Sequence, residues 1–548
     1  MKPTLRLALT LVALLAGAPR GGAQDYPRYR PVGSASVPLD SWVYPVLERL
    51  AALGYVRTAL WGMKPWARTE CARLTEEAGE NFRQAILEDR PTGEAAARLL
   101  ALLEREFAFE LEALNGGRTV AIRLESVYAR AVSLAGEALA DGFHFGQTLA
   151  YELGRPLRRG TNAFGGVAAR AMAGPWAVYF RGEYQHAPSA PAASSVADLI
   201  AQLDRVPPRP AVPASVLDRG QILEVYVLLN LKNWQLSFGK QSLDWGIGAG
   251  GSLLLSRNAE PLVMARIARA VPFRLPGWLG RLGPLRTEFF FTRLSGHVFR
   301  PRPYLYGQKI AFRVHPRFEV GYGRTTMLGG GGARVGLGGF VRSFFGISDS
   351  SGGIPGDTRT TLDLVFHMPG VRELVVLYAE LYQDDERIFF KNPGRGAIRP
   401  GIWITRLPGL AQMDLRAEYV STESPGHRDH HGDFNYWNSE YRDGYTHKGQ
   451  LLGNTVGRQG RALQVWSNYW FSPRHGLELR FRHNRINPDF VPGGGNWRDY
   501  AVGHRFYHAS GLYVRSSLQL EHIRSYPALF AGSRSNVAAS LELGFVPE

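Results

Sequence analysis

The chain is 548 residues long, with 64 Lys and Arg against 48 Asp and Glu, a formal charge of +16 and one cysteine, Cys71. A single cysteine excludes an internal disulfide framework. After the N-terminus no run reaches the ~18 uninterrupted apolar residues that a transmembrane helix requires.

Residues 1–23 read as a cleaved secretory signal. Lys2 and Arg6 precede an apolar run from Leu7 to Ala18, and the small residues Gly21, Gly22 and Ala23 follow. Losing Lys2, Arg6 and Arg20 lowers the charge from +16 to +13. Export argues against nucleic acid as a partner, so an acidic glycan or a lipid phosphate is the better complement.

After a segment at 24–39, residues 40–117 predict a small helical bundle. Asp40 is placed to cap a first helix carrying Trp42, Val46, Leu50 and Leu53 and stopped by Gly54. Pro65 fits the first turn of a second helix running towards Ile86. After Pro91, Thr92 and Gly93, residues 94–114 predict one continuous third helix, ended by Asn115, Gly116 and Gly117.

From 118 to 548 the period changes to two, and glycine and aromatics accumulate. Val120, Ile122 and Leu124 alternate with Ala121, Arg123 and Glu125, and Leu477, Leu479 and Phe481 with Glu478, Arg480 and Arg482. Leu541, Leu543 and Phe545 alternate with Ser540, Glu542 and Gly544. Tight turns alternate with long Gly-, Pro- and Ser-rich connections at 187–219, 328–357, 383–400 and 422–458. Short turns on one side and long loops on the other predict an all-β transmembrane β-barrel of roughly 18 antiparallel strands. The charged stripe is assigned to the lumen. Trp176, Trp234, Trp403, Trp466, Tyr469 and Trp470 are candidates for interface girdles.

Several segments carry a family pattern: GQTLAYELGRP (146–156), GPWAVYFRGEYQH (174–186), FGKQSLDWGIGAGGSLLLSRNAEPL (238–262), LGPLRTEFFFTRLSGH (282–297) and YRDGYTHKGQLLG (441–453). In these the chain resembles the Wzi-type capsule-assembly outer-membrane proteins. The resemblance implies a barrel closed on its periplasmic side by a helical bundle. It also implies binding of capsular or related polysaccharide at the cell surface, without catalysis or cofactor. The implied partners are an acidic capsular or extracellular polysaccharide, outer-membrane lipid and polysaccharide-export machinery. The segment VPLDSWVYPVLERLAALGYV (37–56) is similar to a surface-layer-homology motif, and the alternative is a porin anchored to cell-wall polymer.

Residue chemistry nominates ligand contacts. Tyr436, Trp437, Tyr441 and Tyr445 offer flat faces to sugar rings, and Arg442 and His447 offer polar partners. The equal alternative is an inward-folded loop that narrows the barrel, its tyrosines packed on one another. In the Gly-rich segment, Lys240 and Arg257 suit an acidic glycan, and Arg257 with Asn258 is expected to fix a loop folded inward against the wall. GIGAGG is no phosphate loop, since no GK[ST] follows. His427, Asp429, His430, His431 and Asp433 match no zinc spacing, so no metal site is expected. No nucleophile elbow supports a hydrolase.

Overall fold

The computed structural model describes residues 29–547 apart from 91, 193, 333–334, 345–355, 369–370, 372–373, 385–395 and 425–430. The signal reading, and His427, Asp429 and His430, therefore lie outside the described residues. Eighteen antiparallel strands form one sheet, each paired with its neighbour in sequence. The last strand, Arg534–Phe545, pairs with the first, Val120–Leu134, from Val127 opposite Phe545 to Leu134 opposite Ala538. The sheet therefore closes and leaves no edge.

The alternating pattern sets which face is outside. Ile122, Leu518 and Leu543 are 86%, 55% and 51% exposed, an outward apolar surface that only lipid can cover. Glu380, Arg399 and Glu418, at the opposite parity, are fully buried in the lumen. One end of the barrel carries the termini and tight turns, among them the two-residue turn of Lys232 (φ 52°) and Asn233 (φ 66°). Both residues take positive φ, the backbone a two-residue hairpin requires. The other end carries the long loops.

Three of the expected girdle residues turn inward instead. Trp403 and Trp466 stand opposite Arg416 in the ladder, and Trp470 donates its indole N–H to Asp414 at 2.8 Å. Parity overrides aromatic preference here, because lumen carboxylates and guanidinia give these rings partners. Trp176, by contrast, is half exposed on the outer face.

The helical head lies across the turn-bearing mouth. Helix α1 is Val43–Ala52, α2 Arg68–Leu87, α3 Glu94–Glu106 and α4 Ala108–Leu114. Asp40 does not cap α1. It pairs with wall residue Arg181 at 2.9 Å, and Ser41 Oγ accepts the N–H of Val43 instead. Pro65 lies before α2 rather than in its first turn. The predicted third helix breaks at Phe107. Arg68 caps the Glu106 carbonyl at 3.0 Å and pairs with Glu110 at 2.7 Å, over the Phe107 ring. A guanidinium that satisfies the last carbonyl of α3 lets the chain turn there.

Wall charges hold the plug. Glu319 accepts the N–H groups of Trp61 and Gly62 at 3.1 Å each, and Arg286 donates to the carbonyls of Met63 and Pro65. Arg49 pairs with Asp414 at 3.5 Å and Glu48 with Arg416 at 3.4 Å. Burial of Asp40 opposes its ionisation, yet Arg181 and Arg515 hold its carboxyl well below the usual range.

Candidate functional site

Two long loops fold into the barrel from its open end. In the first, at 242–261, glycines allow close approach to the wall: a Cβ on Gly250 would lie 1.9 Å from Gln464 Oε1, and one on Gly248 2.1 Å from an Arg399 nitrogen. Glu418 receives the N–H groups of Ala249 (2.7 Å) and Gly250 (3.1 Å), so a wall carboxylate anchors the loop backbone. At its lowest point Asp244 reaches the plug and exchanges two backbone hydrogen bonds with Lys64, each 3.0 Å.

The second inward loop, described at 431–459, wraps the first. Tyr436 takes φ 68°, and its hydroxyl donates to the Leu253 carbonyl at 2.7 Å and accepts the Asn454 N–H at 3.2 Å. Its ring stacks on Tyr445 with centroids 6.3 Å apart and planes 9° from parallel. The Arg359 guanidinium covers Tyr445 at 4.4 Å. Tyr441 is buried and donates to the Gly329 carbonyl at 3.2 Å. Trp437 is buried beside the guanidinia of Arg205 and Arg458, each 5.3 Å from its ring.

These placements match the packed alternative rather than free faces for the four aromatics. In this structure Tyr436, Trp437, Tyr441 and Tyr445 are packed into one buried cluster with Leu253 and Leu254. The burial of rings this large is worth more to the loop than exposure.

His447 is also inside. Its Nδ1 accepts the Ser295 N–H at 3.2 Å, and burial, reinforced by the adjacent Lys448 charge, pushes its pKa down to about 4. Lys240 is engaged by Glu260, which also pairs with Lys448 at 2.8 Å. Asn258 donates to the Leu451 carbonyl at 3.0 Å and accepts the Tyr151 N–H at 3.3 Å, joining three loops. Arg257 reaches the Leu39 carbonyl of the N-terminal segment at 3.0 Å. Lys240, Asn258 and His447 are thus occupied with holding loops in place.

Arg442 is different. It is half-buried, lies over Phe299 at 4.4 Å and donates to the Arg205 carbonyl at 2.5 Å. Around it three outward loops converge. Arg205 pairs with Asp433, Arg209 with Asp443 at 3.4 Å, and Arg300 with Glu440 at 2.5 Å. Arg205 and Arg209 remain 55% and 53% exposed. The result is a rim of guanidinia held in place by carboxylates yet open to solvent. Sequence reasoning missed Arg205, Arg209 and Arg300 because they lie in separate loops with no shared motif.

It also missed a lumen cavity of about 510 Å³ between the plug and the inward loops, lined by Arg257, Arg416, Arg480, Arg505, Trp466 and Trp470 among others. Arg505 lies over the Trp470 ring at 4.3 Å and Arg416 over Trp403 at 4.5 Å. Glu152 answers part of the charge: burial resists its ionisation, but Arg130 lowers its pKa to about 2. The inward parity of these arginines was the available signal. No group of three or more His, Cys, Asp or Glu side chains arranged to hold a metal ion occurs among the described residues.

The family model of the capsule assembly protein Wzi matches residues 130–533. Among solved structures, the chain is similar to Escherichia coli Wzi, an outer-membrane protein involved in group 1 capsule assembly and a carbohydrate-binding β-barrel. The identity is 18% and the TM-score 0.67, over 94% of this chain and 99% of that one. Acinetobacter baumannii OccAB4 matches at 9% identity and TM-score 0.39, over 78% and 98% of the two chains. Pseudomonas aeruginosa OccK5 matches at 8% identity and TM-score 0.39, over 77% and 97%. No curated protein matches the sequence. With a family match over most of its length and a closed barrel whose apolar stripe faces outward, the chain belongs to the Wzi capsule-assembly family and is an outer-membrane β-barrel.

Proposed function

We propose that this barrel binds an acidic surface polysaccharide at its loop-bearing end and holds it there during capsule assembly, without catalysis and without conducting solutes. The observation that carries the reading is the meeting of Lys64 and Asp244. A loop from the outer end and the plug from the turn-bearing end join inside the barrel, so the lumen is divided rather than open. A porin needs a continuous aqueous path. A sealed barrel instead serves as a rigid base on which outward groups are displayed.

The ligand contacts follow from the rim. Arg209 carries its charge into solvent, with half-buried Arg442 and the largely covered Arg300 beside it. A planar guanidinium pairs with a uronate or pyruvyl carboxylate through two parallel hydrogen bonds. The buried tyrosines Tyr436, Tyr441 and Tyr445 brace the loop that carries Arg442. Arg257 faces the inner cavity and supports the plug.

The test is retention on immobilised acidic polysaccharide by the wild type and by a combined Arg209→Ala, Arg300→Ala, Arg442→Ala variant. The expected result is at least several-fold weaker, salt-sensitive retention of the acidic polymer by the variant, with a neutral polymer bound weakly by both. Equal retention by the two proteins would remove the rim from the site.

A further inference from the structure

The outer wall of the barrel carries a basic patch that the lumen and the rim do not explain. It lies on strands Gly460–Ser472, His475–Ile486, Gly495–Tyr507 and Leu512–Ser525. On the outward face, Val465, Phe481, Tyr500, Leu520 and Val537 stand opposite one another in register and form an apolar row. The rings of Phe481 and Tyr500 are 5.3 Å apart, and Tyr500 is 48% exposed. Two residues nearer the long loops, the outward row becomes His483, Arg498 and His522. The next row pairs Arg461 with Arg485, and Arg524 follows two strands on, at a register shift, with Asn496 between.

Height fixes the environment of these groups. From Phe506, low on the outward face, to Arg498 is eight residues. At ~3.3 Å per residue and a ~40° tilt, the first basic row stands ~20 Å above Phe506 and the second ~25 Å, the height of an apolar band. By the same measure the aromatic pair stands ~15 Å up, inside the hydrocarbon, and the two basic rows bracket its upper edge, where lipid headgroups begin.

Among the described residues most of these charges have no carboxylate partner. All carboxylates on the strands from Gly460 to Phe545 take the inward parity: Glu478 lines the cavity, and Asp499, Glu521 and Glu542 are buried. Glu423 lies 3.6 Å from Arg461, but among the described residues no carboxylate pairs with Arg485, Arg498 or Arg524. Like charges directly opposite on neighbouring strands destabilise a sheet, and Arg461 with Arg485 is such a pair. Glu423 answers Arg461, which leaves Arg485, Arg498 and Arg524 exposed and free to take an external anion.

We propose that this patch is a docking site for the phosphates of a phosphorylated lipid in the leaflet facing the long loops. The lipid's acyl chains would lie along Leu463, Phe481, Tyr500 and Leu520, and its phosphates would bridge Arg485, Arg498 and Arg524. A bound lipid at this place ties one side of the barrel to the leaflet from which the outer loops emerge. The proposal is independent of polysaccharide binding at the rim.

The test is native mass spectrometry of the full chain in detergent, titrated with diphosphoryl lipid A, its monophosphoryl form and a dephosphorylated form. Retention should fall in that order. Each arginine removed should weaken it about fivefold, so Arg485→Ser, Arg498→Ser, Arg524→Ser together cost roughly a hundredfold. The lysine triple variant should keep most of the binding. If the serine triple fails to fold, as judged by heat-modifiable gel mobility, the single variant Arg498→Gln is read in the same way. Equal retention of the dephosphorylated lipid, unchanged retention in the arginine variants, or complete displacement by millimolar inorganic phosphate would overturn the proposal. Acidic-polysaccharide retention should be unchanged in these variants, which separates this result from the rim assay.

Discussion

Lys64 and Asp244 are 180 residues apart in sequence and enter the barrel from opposite ends, yet their backbones exchange two hydrogen bonds of 3.0 Å. This pair joins the helical plug to an inward loop inside the lumen. In planar bilayers the full chain should therefore show no large steady channels. Removing residues 40–114 should give small, noisy openings, because the inward loops remain. Also replacing 243–256 by a short Gly-Ser linker should give steady openings. Large steady conductance from the intact chain would contradict the sealed reading.

The approach of loop to wall leaves no room for side chains. A Cβ at Gly250 would lie 1.9 Å from Gln464 Oε1 and 3.0 Å from Glu418 Oε2. Gly250→Val should therefore destabilise the barrel by ~1–3 kcal/mol, the usual range for overpacking. Urea unfolding in detergent, followed by tryptophan fluorescence, measures it. A substitution at Gly220, which has extended strand backbone and where an added Cβ meets nothing within 4 Å, serves as the control.

Arg399 is fully buried between Glu380, at 2.6 Å, and Glu418, at 3.3 Å. Glu418 also accepts the Tyr378 hydroxyl at 2.7 Å and the inward-loop N–H groups. Arg399→Leu strands two carboxylates in a closed interior. The expected loss is ~3–5 kcal/mol, the range for breaking a buried pair from one side. Adding Glu380→Leu should restore part of it, and a double-mutant cycle by urea unfolding reads the coupling.

His144 sits in an outer loop between Asp141, at 2.8 Å, and Asp204, at 3.0 Å. Burial disfavours its charged form, but the two carboxylates outweigh burial and push its pKa up from 6.5 to about 9. A raised folded pKa gives stability that is complete below the unfolded value and lost as pH rises through the folded one. Docking of the loop helix Ser194–Asp204 should thus be tight at pH 6 and loosen between pH 7 and 9 and above. Trypsin cleavage after Arg205, normalised to an unfolded substrate, should accelerate over that interval. In His144→Gln the dependence should flatten.

Much of the barrel was legible in the chain because a period of two leaves a strong trace. Ile122, Leu518 and Leu543 were assignable to one face and Arg480, Arg482 and Glu542 to the other without coordinates. The glycine-rich segment at 242–261 was also readable as an inward loop. The aromatic cluster was harder. Tyr436 and Tyr445 in a long polar loop fit ligand platforms and mutual packing equally well, and nothing local decides between the two. Trp403, Trp466 and Trp470 misled in the opposite sense, since a girdle tryptophan and a lumen tryptophan differ only in parity and partner.

The sequence by itself determined the period, the change from helix to strand near residue 118 and the family pattern, because these depend on residue types at short spacing. The tertiary structure alone decided which groups are free. Whether Arg442 faces solvent, Tyr441 a neighbour or Lys240 a carboxylate depends on contacts between loops far apart in the chain. Lys64 and Asp244 show the same limit. Their bond is a backbone bond, carries no side-chain signature, and exists only once the barrel has closed around both.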